Sequence, residues 1–260
     1  MSTNPVYVYG LIPSTASLSG FDAGVGIIGS PVRLLNGGDL AALVSDAQPT
    51  TVQRTRRNML AHTAVLEKAS FLTTVLPLRF GTLAPSPAAL CACIASNRSA
   101  FCLALRNIDG RVELGVKASW KPGHVFTHVV DRDQTLRQLR DHLRSRPTGE
   151  NYYERIELGR RVEAALAELR VSEAAAILAE LEPIAECSAE LRLHDDDMVF
   201  NRAFLVKRSA EPDFDAAVER IAQRYADRMD FRYVGPVPAF NFVSLHTDWL
   251  TEPAAAGVQA

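Results

Sequence analysis

The sequence lacks three motifs that mark common catalytic sites. It contains no G-x-x-x-x-G-K-[ST] phosphate-binding loop, no G-x-S-x-G nucleophile elbow and no H-E-x-x-H zinc helix. These motifs supply a phosphate cradle, an activated serine and a metal-bound water, respectively. No other nucleophile in the chain is paired with a recognisable base. We therefore expect a protein that is not an enzyme and that binds no cofactor.

Long hydrophobic runs are also absent. No uninterrupted apolar stretch approaches the roughly 20 residues that a membrane helix needs. The first basic residue is Arg33, so the N-terminus lacks the basic flank of a secretory signal. The sequence therefore predicts a cytoplasmic protein with no membrane partner.

Cysteine is scarce and the net charge is small. Cys91 and Cys93 lie two residues apart on a predicted helix and so point in different directions, and Cys102 and Cys187 are isolated. Buried reduced thiols are therefore favoured over a zinc site. A formal net charge of −2 gives no basic field for a nucleic acid. We expect no metal and no nucleic-acid partner.

Strand and helix patterns alternate along the chain. Before residue 110 the patterns predict strands at 6–12, 32–35, 40–45 and 74–81, with a hairpin turn at Asn-Gly-Gly 36–38. A capping-box spacing at 50–53 predicts the start of one helix, and Ser86-Pro87 predicts the start of a second, which continues to Leu105. We interpret residues 1–109 as an N-terminal α/β domain, a degenerate form of the ferredoxin-like plan.

The pattern is clearer in residues 110–248. Strands are predicted at 112–120, 187–193, 198–207 and 230–245, helices at 134–146, 152–170, 173–181 and from Pro212, and a loop at 121–133. The order β, α, β, β, α, β predicts a C-terminal ferredoxin-like domain with extra helices. Pro236 and Pro238 fit the edge position of its last strand, because proline donates no ladder hydrogen bond. The predicted fold class is α+β with two domains, followed by a disordered tail at 249–260.

For three polar features a structural role is favoured over a catalytic, metal-binding or partner-binding role. His62 lies near the apolar side of its predicted helix, so we expect a hydrogen-bonded structural histidine. The His-Asp-Asp-Asp run at 194–197 lacks the spacing of a calcium loop and predicts a solvated hairpin turn. The basic residues Arg54, Arg56 and Arg57 could contact an anionic partner, but a solvated helix face is favoured.

The strand at 198–207 is apolar on both faces. Phe200, Phe204 and Val206 alternate with Ala203 and Leu205, so neither face is typical of a solvent-exposed surface. The ferredoxin-like plan places helices on only one face of the sheet. The second face must therefore be covered by the N-terminal domain or by a partner.

Four segments resemble motifs of the gas vesicle protein GvpL/GvpF family. Val-Tyr-Val-Tyr-Gly at 6–10 resembles its opening strand, and Val-Leu-Pro-Leu-Arg-Phe-Gly-Thr at 75–82 resembles its central motif, with His62 at the expected place upstream. Residues 152–163, with Glu-Leu-Gly at 157–159, resemble its helix motif. Gly-Pro-Val-Pro-Ala-Phe-Asn-Phe at 235–242 is similar to its terminal motif, but Val237, Ala239 and Phe240 replace the usual Trp, Pro and Tyr.

The resemblance spans about residues 5–245 and implies a non-enzymatic accessory protein of gas vesicles. Such a protein would contact the shell subunit GvpA and other accessory proteins during assembly, in the cytoplasm and at the gas vesicle. The residues that we predict to contact partners are Arg79, Phe80, Phe200, Phe204, Leu205, Pro236, Phe240 and Phe242. The alternative that the sequence leaves open is a ligand-sensing regulatory module built from ferredoxin-like domains.

Overall fold

A computed structural model describes residues 4–16, 26–48, 52–145 and 151–243. The chain divides into two compact units. Unit 1 is Met1–Glu113 together with Pro236–Ala260, and unit 2 is Leu114–Gly235. The predicted mixture of helix and sheet is confirmed, with one antiparallel sheet formed mainly by each unit. The predicted tail at 249–260 lies outside the described residues.

In the described residues the sheet of unit 1 has five strands: β1 (Val6–Pro13), β2 (Val32–Asn36), β3 (Leu40–Asp46), β4 (Leu76–Pro77) and β5 (Leu83–Ala84). Their order is β2-β3-β1-β4, and β5 also pairs with β1. The strand predicted at 74–81 is therefore wrong in extent, because pairing with β1 is interrupted between β4 and β5. Gly81 interrupts it with a φ of 92°, which lies outside the extended region of a strand.

The predicted hairpin at the Asn-Gly-Gly turn is confirmed. β2 pairs antiparallel with β3, from Val32 opposite Ser45 to Asn36 opposite Ala41. Gly37 donates its N–H to the carbonyl of Leu40 at 2.8 Å and closes the turn. Gly38 has a φ of 91°, a conformation that glycine adopts without a steric penalty.

The helices of unit 1 are α1 (Arg56–Ser70), α2 (Pro87–Ser96) and α3 (Arg98–Ile108). The predicted start of the first helix is wrong: Thr55 is its N-cap and accepts a hydrogen bond from the N–H of Asn58. The start at Ser86-Pro87 is confirmed. The single helix predicted to follow is two helices bent by 77°. Among the described residues no single helix has the length and apolarity of a membrane span, although this bent pair passes that test by length and composition alone.

The second sheet contains β6 (Arg111–Trp120), β7 (Cys187–Glu190), β8 (Met198–Lys207) and β9 (Met229–Val237), in the order β7-β8-β6-β9. β6 and β8 match their predictions closely, and the turn at 194–197 joins β7 to β8 as predicted. β7 and β9 are shorter than predicted. β9 ends at Val237, so the aromatic residues after Pro238 lie beyond the sheet.

The helices of unit 2 are α4 (His124–Arg132), α5 (Gln134–Arg144), α6 (Tyr152–Leu181) and α7 (Glu211–Arg224). The prediction of a loop at 121–133 is wrong, because α4 occupies most of it. The two helices predicted at 152–170 and 173–181 form one continuous helix, α6. α5 and α7 match their predictions.

Candidate functional site

Three of the predicted partner-contacting residues are inaccessible. Phe200, Phe204 and Leu205 of β8 are all buried, and both faces of this strand are covered within the chain. The ring of Phe204 lies 5.1 Å from that of Phe214 on α7. The prediction that these three side chains contact a partner is wrong for the folded chain, because their apolar surface is already buried in the core.

The remaining predicted residues lie on two segments of unit 1. Arg79 is exposed, and Phe80 is half-buried against the core. Pro236 and Phe242 are half-buried, and the side chain of Phe240 is 36% exposed. Two of the resemblance motifs, at 75–82 and 235–242, therefore each present an exposed side chain.

The motif at 6–10, in β1, holds the motif at 75–82 in place through main-chain contacts. Tyr7 and Tyr9 share one face of β1 and point into the core, with their rings 4.9 Å apart. Leu78 donates its N–H to the carbonyl of Tyr9 at 2.9 Å. A Cβ on Gly10 would lie 2.7 Å from the carbonyl oxygen of Leu76, so only glycine lets β4 approach β1 this closely.

A buried chain of hydrogen bonds joins β1, α1 and the 78–81 turn. Nε2 of His62 is 3.2 Å from the carbonyl oxygen of Leu78, and Nδ1 of His62 is 2.8 Å from the hydroxyl of Tyr7. Because a carbonyl only accepts, Nε2 carries the proton and Nδ1 accepts from Tyr7. The same hydroxyl accepts from the N–H of Gly81 at 3.0 Å. Each of these hydrogen-bonding groups has a partner when the imidazole is neutral.

Burial keeps these groups uncharged. It lowers the pKa of His62 from 6.5 to about 4, against a smaller opposing effect of the hydrogen bond to Leu78. Burial likewise raises the pKa of Tyr7 far above its ordinary value. A neutral histidine that bonds a tyrosine and a main-chain carbonyl joins the elements that carry those groups. The prediction that His62 is hydrogen-bonded within the fold is confirmed.

Gly26 meets a second buried tyrosine. The hydroxyl of Tyr9 accepts from the N–H of Ile27 at 2.8 Å and is 2.9 Å from Oγ of Ser45. A Cβ on Gly26 would lie 2.1 Å from that hydroxyl oxygen. Residues 24–29 match G-x-G-x-x-G, but residues 27–29 form a single 3-10 turn, whereas the dinucleotide motif opens an α-helix after a parallel strand. Close packing against Tyr9 requires glycine at position 26, and Gly29 has a φ of 77°.

The terminal motif is fastened by a buried carboxylate. Glu113 is buried, and its two carboxylate oxygens accept from the main-chain N–H of Asn241 at 2.8 Å and from Nδ2 of Asn241 at 2.6 Å. Burial raises the pKa of Glu113, and both hydrogen bonds oppose that rise. Sequence reasoning missed this contact, because Glu113 occupies an outward position in the predicted alternation of its strand.

Unit 2 holds a separate buried polar cluster that the sequence did not reveal. Glu173 of α6 accepts from Nε1 of Trp120 at 2.7 Å and lies 2.9 Å from Nε of Arg228. The guanidinium of Arg228 lies 4.6 Å from the ring centre of Tyr225. This cluster ties α6 to the end of β6 and to the segment between α7 and β9, and its carboxylate is already paired with a cation.

Sequence reasoning also missed the exposed apolar side chains of the helices. Tyr152, Tyr153 and Ile156 lie in the first turns of α6, and Tyr153 is 84% exposed. Phe71, at the end of α1, is 70% exposed. The segment at 152–163 was noticed for its resemblance motif, but its period alone predicted an apolar side facing a core.

The described ranges contain an open groove but no cluster of metal ligands. Among these residues no group of three or more His, Cys, Asp or Glu side chains could hold a metal ion. One open groove of about 610 Å³ lies on unit 2, between α5 and α6, and its lining includes Leu139, His142, Tyr153 and Glu157. It is a surface depression between helices, without the enclosure that a small-molecule site needs.

Comparisons with known proteins agree with one another. The profile of the family described as "Gas vesicle synthesis protein GvpL/GvpF" matches residues 5–244. Gas vesicle protein F of Streptomyces sp. is 34% identical over 240 residues, which are 91% of this chain and 98% of that protein. Gas vesicle protein L of the same organism is 33% identical over 135 residues, or 46% of this chain and 51% of that protein.

Solved structures show the same similarity. The crystal structure of gas vesicle protein GvpF from Anabaena sp. PCC7120 superposes with a TM-score of 0.81 at 25% identity, covering 94% of this chain and 99% of that one. GvpF from Microcystis aeruginosa gives a TM-score of 0.76 at 26% identity, over 94% of this chain and 100% of that one. The chain therefore belongs to the gas vesicle synthesis protein GvpL/GvpF family.

Proposed function

We propose that this protein is a non-enzymatic accessory component of gas vesicle formation that binds the shell subunit GvpA and other accessory proteins during assembly. Its family implies a role in gas vesicle formation. A shell subunit that presents an apolar face to gas would aggregate before it is assembled. A folded partner that covers this apolar face until assembly would prevent the aggregation.

The observation that carries the proposal is the way the two motif segments of unit 1 are built. Each segment is fastened by a buried polar group, the 78–81 turn by Tyr7 and His62 and the terminal motif by Glu113. Each nevertheless exposes a side chain that could contact a partner, Arg79 in the first segment and Phe240 in the second. A surface that is rigid but uncovered suits the binding of another protein, because little order has to be imposed when the partner arrives.

We further infer that both units are variants of the ferredoxin-like plan. In unit 2 the order β7-β8-β6-β9 supports this inference, since it is the order expected when a βαββαβ chain folds into one sheet. The order β2-β3-β1-β4 of unit 1 supports the same plan with its first helix reduced. We keep domain limits of 1–109, 110–248 and 249–260 as a proposal, while the compact units instead divide after Glu113 and again before Pro236.

A binding experiment with the shell subunit of the same organism tests the function. The purified chain should retain GvpA in a pull-down. F240R should weaken retention, because it places a charge at the apolar position of the terminal motif. The matched control is F126R, at a side chain of α4 that is 55% exposed, and it should bind normally. Failure of the wild-type chain to retain GvpA would refute the proposal.

A cellular experiment tests the role itself. Deletion of the gene from a gas-vesicle-producing strain should abolish buoyancy, and the wild-type gene should restore it. Fractionation should find the protein in the cytoplasm and on gas vesicles. Normal flotation of the deletion strain would exclude a necessary role in assembly. A thermal shift with a metabolite, together with normal flotation, would favour the ligand-sensing alternative.

A further inference from the structure

The turn that carries Arg79 is held on both sides of that residue. Before it, Leu78 is fixed by bonds through its N–H and its carbonyl, and after it the N–H of Gly81 is bound to Tyr7. Thr82 donates to the carbonyl of Arg79 through its N–H at 3.2 Å and its hydroxyl at 2.7 Å. The Arg79 backbone is therefore fixed from inside the unit, and its side chain projects from a rigid base.

The guanidinium of Arg79 itself has no partner among the residues that the structure describes. Two other arginines of unit 1 are paired: Arg33 lies 2.9 Å from Asp46, and Arg98 is bonded to Asp39. Arg79 is exposed, and the neighbouring Phe80 ring packs 5.7 Å from that of His62. The turn thus combines an available bidentate donor with a partly exposed aromatic ring.

The charge of the Arg79 turn favours an acidic partner. Over its full sequence unit 1 has nine Lys or Arg and eight Asp or Glu, so the unit as a whole is nearly neutral. Residues 75–82 contain no Asp or Glu, and Arg79 is their one charged residue. The positive charge at this turn therefore attracts carboxylates and repels basic segments.

We propose that Arg79 is the anchor of the interface with the shell subunit and that its guanidinium binds a carboxylate that this subunit places beside apolar side chains. This inference rests on the proposed function. Arginine suits the role because its planar fork matches a carboxylate with two parallel hydrogen bonds. Because the Arg79 backbone is already fixed, less conformational entropy is lost on binding. Arginine is also one of the residues most often found as a binding hot spot.

The test measures the affinity of purified variants for the shell subunit GvpA at several salt concentrations. R79A should weaken binding about 30-fold, the factor that corresponds to a hot-spot side chain, and R79E should weaken it further. R106E makes the same charge change at another exposed arginine of unit 1 and should alter affinity by no more than about threefold. All three variants should keep the melting temperature of the wild type to within a few degrees.

Salt dependence separates an ion pair from a merely structural effect. Wild-type affinity should fall more steeply with salt than the affinity of R79A, because the variant has lost the screened interaction. Singly replacing each Asp and Glu of the shell subunit by Arg should reveal one position that restores binding to R79E.

Three results would overturn the inference. One is an R79E chain that binds within about threefold of the wild type, another is equal salt dependence of the wild type and R79A, and the third is a charge exchange that restores nothing. In each case the wild-type chain still binds GvpA, so the proposed function stands. If the wild-type chain itself does not bind GvpA, the proposed function fails and the inference fails with it.

Discussion

Acidification should loosen unit 1 through His62. Burial lowers the pKa of this imidazole from 6.5 to about 4, so the folded state prefers the neutral form more strongly than the unfolded chain does. The stabilisation from the neutral form is fully present above about pH 6.5 and is lost as the pH falls towards 4. The loss is about 2 kcal/mol by pH 5 and about 3 kcal/mol once the pH is below the folded-state pKa.

The structure gives the reason for this loss. A proton on Nδ1 of His62 would face the hydroxyl of Tyr7, which would then have to accept two hydrogens, because the N–H of Gly81 already donates to it. A charged imidazole would also lie in the core without a counter-ion in its network. Protonation therefore disrupts the bonds that hold the 78–81 turn before the rest of the unit unfolds.

Urea unfolding between pH 7 and pH 5, followed by hydrogen exchange of peptides from β1 and the 75–82 segment, measures the effect within unit 1. H62Q can still donate to Leu78 and accept from Tyr7, but it does not titrate, so its stability should fall by about 2 kcal/mol less than that of the wild type over this range. H194Q, at an exposed turn residue, is the matched control and should keep the wild-type pH dependence. Equal pH dependence of H62Q and the wild type would refute the reasoning.

Two further substitutions probe the buried supports. Y7F leaves Nδ1 of His62 and the N–H of Gly81 without partners and should lower the free energy of unfolding by about 1–3 kcal/mol, whereas Y153F, at an exposed side chain, should leave urea unfolding unchanged. E113A removes both acceptors of Asn241 and should increase hydrogen exchange in residues 238–243 while the exchange of β3 stays as it was. Protection of 238–243 equal to that of the wild type would show that other contacts hold the terminal motif.

The sequence predicted the elements in which local chemistry and tertiary packing agree. The Asn-Gly-Gly turn fixed the first hairpin, because Gly38 needs a positive φ there. Ser86 followed by proline fixed the start of α2, since Ser86 caps it by accepting from the N–H of Ala89. The alternation along β6 and the apolar face of α7 likewise match what those elements bury.

The errors arose where local preference and context disagree. α4 is rich in Val and Thr, which favour strands, yet its Val125, Val129 and Val130 are spaced to face one side of a helix and are buried there. The segment at 74–81 has the composition of a strand, but Pro77 and the positive φ of Gly81 limit its pairing. In α4 the helical spacing of the buried valines outweighed their strand preference, and at 74–81 the geometry of Pro77 and Gly81 outweighed that of their neighbours.

The candidate site could be predicted only in part, because its supports are distant in sequence. Tyr7 is 55 residues from His62 and 74 residues from Gly81, and Glu113 is 128 residues from Asn241. No local period reveals such pairs. The resemblance motifs located the segments, but the apolar pattern of the strand at 198–207 left open whether the chain itself or a partner covers Phe200, Phe204 and Leu205, which are buried in the core.

The motif residues of unit 1 divide into two groups with different expected effects. Tyr7, His62 and Glu113 hold main-chain donors or acceptors of loops and are buried, whereas Arg79 and Phe240 project from those loops. Buried side chains already hold each loop in place. The exposed residues of these loops therefore contribute little to the free energy of unfolding. Substitutions in the first group should therefore lower stability and, through it, assembly. Substitutions in the second group should spare stability and affect assembly only through binding, so measuring both quantities for each variant separates support from recognition.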